Sequence, residues 1–420
     1  MNEQPRKFEA AGEATPAPPP AQGILPIARE KLPRRLRRIL CLDDFEPAAR
    51  RHLPRPIFGF ISGAAETNAS LRDNRAVFEE FGWAPRVLTN VSQRSQATTL
   101  FGKTYAAPFG IAPMGLSALA AYRGDVVLAR TAVRANIPMI MSGSSLIPLE
   151  TVAQEAPGAW FQAYLPGEPP RILALVERVA RAGFETLVLT VDVTVLANRE
   201  NNIRSGFSTP LKPGLRLAWD GITRPRWLVN TAARTLQQYG LPHFENSYAT
   251  RGAPVLSRNV ERDLGMRDHL NWEHVALIRR AWKGRLVLKG VMRKEDARIA
   301  REHGVDGIIV SNHGGRQLDG TISPLRVLPE IAAEAGDMAV MFDSGIRRGN
   351  DVLKALAMGA QFVFVGRPFL YAAAIAGEPG VAHAVNILSQ EINRNLALLG
   401  VNSPQEVGQE ALLRRNPPAV

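Results

Sequence analysis

Cysteine is nearly absent: Cys41 is the only one in 420 residues. No disulfide can form within the chain, and no multi-cysteine metal site can be built. With no evident partner in the sequence, Cys41 reads as a bystander rather than a nucleophile. No stretch of about twenty apolar residues is free of charge, which excludes a transmembrane helix. The N-terminus lacks the apolar core of a secretory signal. Its "AGEATPAPPPAQG" is Pro/Ala-rich, so residues 1–45 are expected to form a flexible basic leader on a protein of the reducing cytoplasm. Acidic residues are also in deficit, 39 against 51 basic ones, for a formal charge of +12. The arginines crowd at "REKLPRRLRR" (Arg29 to Arg38), between Arg199 and Arg234, and in "LLRR", without zinc-finger spacing or an aromatic-basic RNP pattern. Nucleic acid is therefore not an expected partner; an anionic substrate, a cofactor phosphate or a membrane surface is.

What the chain does have, from Ala107 onward, is a series of short apolar runs, each closed by a small or polar residue. They are "PFGIAP", "PMIMSG", "AWFQAY", "TLVLTVD", "LVLKG", "GIIVSN", "MAVMFD" and "FVFVG". Between them, segments such as "RILALVERVARAGF", "KEDARIAREHG" and "RRGNDVLKALAMGA" carry apolar residues at helical spacing and end on a glycine suited to a helix C-cap. Continuous Val/Ile/Leu runs alternating with amphipathic helices predict parallel strands buried on both faces. Eight such units close into a (β/α) TIM barrel spanning residues 46–400, preceded by a helical extension and followed by a tail, 401–420. An open doubly wound sheet is the rival, but a GxGxxG turn after the first strand is missing. Between strand four, ending at Asp192, and strand five, starting near Leu286, residues 201–267 read as an irregular insertion on the catalytic face, a lid or a docking surface.

In such a barrel, polar residues at strand ends converge on one pocket. Here they are Ser142, Gln162, Tyr164, Thr190, Asp192, Arg199, Lys289, Ser311 to Arg316, Asp343, Arg347, Gly366 and Arg367. His313 can act as a general base if a carboxylate steadies its imidazolium, and Asp192 is the candidate. Arg199 and Arg316 offer two planar forks for a carboxylate. Base and anion clamp together suggest a 2-hydroxy acid. "FDSGIRRG" and "VGRP" follow strands seven and eight, where barrels often bind phosphate, and Lys289 would place a cation beside any anion that the reaction creates. Each residue also has a plain structural reading: a rim histidine that bonds its loop, an aspartate that caps a turn, arginines paired with surface carboxylates, glycines serving tight turns. Their joint placement at consecutive strand ends favours the functional reading.

"SNHGGRQLDG" resembles the signature of the FMN-dependent L-2-hydroxy acid dehydrogenase and oxidase family, which includes L-lactate dehydrogenase, mandelate dehydrogenase and glycolate oxidase. The likeness runs from about Leu53 to Leu399, with "TVDV", "LKG", "DSGIRRG" and "VGRPF" in order. The resemblance implies that His313 takes a proton from the substrate while Asp192 stabilises the imidazolium. Arg199 and Arg316 would hold the substrate carboxylate, and Tyr164 would hydrogen-bond nearby. Lys289 would sit by flavin N1 and O2. Ser142, Gln162 and Thr190, with backbone groups of Pro113, Met114 and Gly115, would bond the isoalloxazine edge. Ser311 would lie beneath the flavin, and Asp343, Gly345, Arg347, Gly366 and Arg367 would hold ribityl and phosphate.

Two departures bear on substrate and acceptor. In "LPRPIFGFISGAAE" the position that usually supplies a carboxylate-binding tyrosine is Phe60, a loss of about 1 to 2 kcal/mol in affinity unless another donor replaces it. Ser144 stands where glycolate oxidase has a tryptophan, and the two together point to a larger substrate. The insertion from Asn201 to Glu245 has counterparts in membrane-associated lactate and mandelate dehydrogenases and mixes Trp219 and Trp227 with Arg216, Arg224, Arg226 and Arg234. That mixture suits an interfacial segment, or else a lid with its tryptophans turned inward. The expectation is thus a tetrameric dehydrogenase of lactate- or mandelate-like acids that passes electrons to a quinone, peripheral on the inner membrane face. The alternatives are a peroxide-producing oxidase and a non-catalytic or aldolase-like phosphate-binding barrel.

Overall fold

A computed structural model describes residues 24, 27–165, 167–208, 214–257 and 267–415. The eight apolar runs form eight parallel strands: β1 (Phe109–Ile111), β2 (Ile140–Ser142), β3 (Trp160–Ala163), β4 (Thr186–Thr190), β5 (Arg285–Val291), β6 (Gly307–Val310), β7 (Ala339–Asp343) and β8 (Phe362–Val365). Each pairs with its sequence neighbour, β8 returns to β1, and a parallel bridge between Ile111 and Met139 closes the ring. A helix follows every strand, from Gly124–Arg134 after β1 to Arg367–Leu399 after β8. The expected glycine caps are present: Gly183 and Gly304 follow their helices with φ of +88° and +68°, a conformation that side chains resist.

Because successive strand side chains point to opposite faces, each strand sends alternate residues into the barrel. The outward set, including Leu187, Leu189, Leu288 and Ile308, packs under the helices. The inward set forms two strata. The lower one is apolar, with Ile140, Trp160, Val188, Val287, Ile309, Met341 and Phe362 packed together. Two residues further along, the first six of these carry on to Ser142, Gln162, Thr190, Lys289, Ser311 and Asp343, a polar stratum at the C-terminal mouth, all buried, while Phe362 is followed by Phe364. Each large apolar side chain of the lower layer contributes about 1.5–3 kcal/mol of burial, which holds the floor on which the polar residues stand. An unforeseen hairpin, Thr98–Leu100 with Lys103–Tyr105, stoppers the opposite end, where Leu100, Phe101 and Tyr105 join the lower layer.

Three expectations about segments outside the strands need correction. The described part of the leader is not flexible: Leu32, Leu36, Ile39 and Leu42 are buried, and His383 of the last helix bonds the Ile39 carbonyl at 2.9 Å. Apolar residues three or four apart among the arginines make that stretch a strap; residues 1–23 lie outside the described residues. The C-terminal tail belongs to the fold, since Leu412–Arg414 pairs antiparallel with Phe81–Trp83. The insertion is largely helical as far as Tyr239 where it is described, while the described residues 240–257 run as turns and irregular chain, as expected. Glu200–Ser205 and Leu215–Ile222 are followed by Pro225–Trp227, a π-helical turn at Leu228–Ala233, and Arg234–Tyr239.

Candidate active site

The turn after β6 sets the geometry. His313, Gly314 and Gly315 all have left-handed backbones, φ +57°, +66° and +74°. A Cβ on Gly315 would lie 2.7 Å from the Leu71 nitrogen, so only glycine lets the turn press onto the helix Ala69–Ala76. Asn312 exchanges two 2.8 Å hydrogen bonds with Asn74 of that helix, and Asp319 accepts from the Thr67 and Ser70 amides near its start. These contacts keep a non-glycine residue, His313, in a strained conformation, a pattern common where a side chain must be aimed.

His313 Nδ1 lies 3.0 Å from Asp192 Oδ1. Gly290 makes room for that carboxylate: with φ +108°, a Cβ there would sit 2.6 Å from the Asp192 Cβ. Burial pushes the imidazole below its ordinary value against the pull of Asp192. Burial would raise Asp192, but the charge and hydrogen bond of His313, with Lys289, hold it below the usual carboxylate range. The pair therefore rests as a neutral imidazole, Nδ1–H donating to a carboxylate, with Nε2 left to accept a proton.

Lys289 Nζ lies 2.8 Å from both Ser311 Oγ and Asp343 Oδ2; burial works against its charge, but Asp343 and Asp192 together outweigh it and keep it a cation. Ser142 donates to Gln162 Oε1 at 3.1 Å. Among the described residues, Gln162 Nε2, Thr190 Oγ1 and Asp192 Oδ2 are buried without a partner, a costly state for polar atoms unless a ligand completes them.

A cavity of about 650 Å³ opens over this stratum. Of the residues expected at the site, Phe60, Pro113, Met114, Gly115, Tyr164, Thr190, Arg199, Lys289, His313, Arg316, Asp343, Gly345, Arg347, Gly366 and Arg367 line it. Ser142, Gln162, Asp192 and Ser311 stand behind that wall, bonded to one another or to its members. Arg316 and Arg367 both donate to the carbonyls of Ile61 and Gly63, and Arg199 donates to the Arg316 carbonyl and to Gln317 Oε1. Among the described residues none of the three has a carboxylate partner. Burial, with Arg199 and Arg367 alongside, presses Arg316 well below the ordinary arginine value. Arg347 is pushed down to about 10 by burial, helped by Arg75 and Arg367, although Asp43 lies 3.5 Å away. A cluster of desolvated cations with carbonyls for company is built to receive anions.

Much of the remaining wall is apolar. Phe60 stacks on Phe207 of the insertion, centroids 4.5 Å apart, and the Arg316 guanidinium lies 4.9 Å from the Phe60 ring. Phe207 and Phe244 were not foreseen, nor was Arg267, which also lines the cavity. All three come from the insertion, where no strand or helix period marks which residue turns inward. Of its tryptophans, Trp227 does turn in, its Nε1 donating to the Leu119 carbonyl at 2.8 Å, whereas Trp219 is 67% exposed.

Known proteins resemble the chain along most of its length. A family model described as FMN-dependent dehydrogenase matches residues 49–414. An L-lactate dehydrogenase of Stenotrophomonas maltophilia (strain R551-3) is 39% identical over 375 residues, 88% of this chain and 97% of that one. An L-lactate oxidase of Lysinibacillus sphaericus (strain C3-41) is 38% identical over 367 residues, 87% and 90%. Among solved structures, that of the monotopic membrane protein (S)-mandelate dehydrogenase superposes with a TM-score of 0.82 at 33% identity, covering 90% of this chain and all 100% of that one.

Proposed function

The chain belongs to the FMN-dependent dehydrogenase family and carries out FMN-dependent oxidation of a 2-hydroxy acid; from that premise we propose that it is a dehydrogenase working at a membrane surface, with a quinone as acceptor and His313 as base. The residues present fit FMN. The orphaned Gln162 Nε2 and Thr190 Oγ1 match the alternating acceptors and donor along a flavin ring edge, Lys289 suits its N1 and O2 side, and Arg347 and Arg367 suit a phosphate. When bound, FMN supplies the acceptor for the C2 hydrogen and two electrons.

In this reading Arg199 and Arg316 hold the substrate carboxylate and Tyr164 bonds beside it. His313 Nε2 takes the hydroxyl proton as the C2–H bond breaks, and Asp192 carries the resulting imidazolium through Nδ1. Lys289, kept cationic by Asp343 and Asp192 together, offsets negative charge gathering across the cavity. Behind the wall Ser142 and Ser311 orient Gln162 and Lys289, while Pro113, Met114, Gly115, Gly345 and Gly366 offer backbone to the cofactor.

The observation that carries the chemistry is the His313–Asp192 pair, 3.0 Å apart beside Arg199 and Arg316, which have no carboxylate partner among the described residues. What supports the membrane part is the helix Leu215–Ile222: Leu215 (93% exposed), Trp219 and Ile222 share one face, with Val229 exposed nearby and Arg224 and Arg226 beside them. Among the described residues no helix is long and apolar enough to cross a membrane, so attachment would be peripheral. Oxidases are also among the relatives, so the acceptor is the point to test. Stopped-flow mixing of photoreduced enzyme with oxygen or a soluble quinone should give fast reoxidation by the quinone only; fast reoxidation by oxygen would make it an oxidase.

A further inference from the structure

Arg267 is a further guanidinium on the cavity wall, apart from the pair assigned to the substrate carboxylate. It is 6% exposed, its Cζ lies 4.9 Å from the centroid of the Tyr164 ring, and Nε donates to the Leu165 carbonyl at 3.3 Å. Among the described residues no carboxylate comes within ion-pair distance of it. The cations that press hardest on Arg316 are Arg199 and Arg367, whereas the groups that bear on Arg267, after burial itself, are Tyr164 and Tyr248. The cavity wall thus has, besides the pole at Arg199 and Arg316, a second cationic pole at Arg267, whose guanidinium lies against the Tyr164 ring. A guanidinium held away from water with, among the described residues, one carbonyl and a ring face is under-compensated, and a carboxylate is the partner its fork fits best.

A substrate with one carboxylate answers one pole only. We propose that the substrate is a 2-hydroxy dicarboxylic acid, with its C1 carboxylate at Arg199 and Arg316 and its distal carboxylate on Arg267. Phe60 and Phe207 supply an apolar wall for the short methylene chain between the two ends. This inference rests on the reading of the cavity as a 2-hydroxy acid site and adds the distal group.

The test uses the purified flavoprotein and a dye acceptor, comparing acids of equal chain length: L-malate with L-2-hydroxybutanoate, and L-2-hydroxyglutarate with L-2-hydroxypentanoate. The better diacid should exceed its monoacid in kcat/KM by at least about tenfold, the worth of one charge-assisted hydrogen bond. Arg267→Met should lower that diacid-to-monoacid ratio by a similar factor, and Arg267→Lys should restore part of it. The dissociation constants of the matching 2-oxo diacid and monoacid, read from perturbed flavin absorbance, should show the same preference without turnover. Monoacids preferred by the native enzyme, or a ratio that Arg267→Met leaves unchanged, would overturn the proposal. That native comparison decides even if the variants fail to fold. If no 2-hydroxy acid bleaches the flavin, the parent reading falls instead.

Discussion

Replacing Asp192 by Asn removes the charge that faces His313 across 3.0 Å while keeping an oxygen able to accept the Nδ1 hydrogen bond. As the substrate proton reaches Nε2, an imidazolium forms against that position. A hydrogen bond to a charged group is worth about 1.5–3 kcal/mol against about 0.5–1.5 kcal/mol for a neutral one, so losing the charge in the transition state slows the step by roughly tenfold. The same change acts on the resting enzyme. Asp192 raises the His313 value and burial lowers it, so without the carboxylate burial prevails and the imidazole titrates at lower pH. Since the base works only when neutral, the acid limb of kcat/KM against pH should move down. Asp192→Asn is therefore expected to be slower on its plateau yet less sensitive to acid. Anaerobic stopped-flow bleaching of the flavin across a pH series measures both. A rate within threefold of the native enzyme, or an acid limb displaced upward, would refute the assignment of the pair.

Further outcomes follow from other parts of the molecule. Asp125 is buried between Ser117 and Ser145, and burial pushes its carboxyl from 3.8 up to about 6. Its ionisation thus costs the folded state about 3 kcal/mol above pH 6, a penalty relieved as pH falls through 6 toward 4. Asp125→Asn should raise the melting temperature at pH 8 and add nothing near pH 4; parallel melting curves of the two proteins across pH would contradict this. Phe60→Tyr adds a hydroxyl next to Arg316 and should lower KM for small 2-hydroxy acids by about three- to tenfold in steady-state assays. An unchanged KM would mean that the ring edge does not meet the carboxylate. Leu215→Ser with Trp219→Ser should cut cosedimentation with anionic phospholipid vesicles by at least about tenfold while dye reduction continues, because each apolar side chain is worth about 1.5–3 kcal/mol when it leaves water. Equal cosedimentation would rule out that helix as the contact.

The barrel is readable in the sequence because its strands are buried on both faces, which forces unbroken runs such as "GIIV" and "TLVLT" and leaves a polar residue to mark the C-terminal end of six of the eight. The same alternation is enough to put Lys289 and Asp343 at the mouth. Segments whose shape depends on distant partners are not readable in this way. Leu32 and Leu36 look like spacers in an arginine run until the fold buries them, and Leu412–Arg414 becomes a strand only because Phe81–Trp83 lies alongside. Within "SNHGGRQLDG", His313 stands out, but nothing local distinguishes Asn312 and Asp319, which anchor the turn, from Arg316, which faces the cavity. Arg267 follows a stretch of the insertion that lies outside the described residues, and no period singles it out.

The two strata inside the barrel tie reactivity to correct threading. Sliding β5 by one residue would exchange Lys289 for Leu288 at the mouth and send the ammonium under the helices, and each other strand has the same parity. A half-zipped or mis-set ring would hold no diminished version of the pocket, only grease where ligands should dock. Recovery of turnover after denaturation should therefore arrive all at once, with the last strand to find its place.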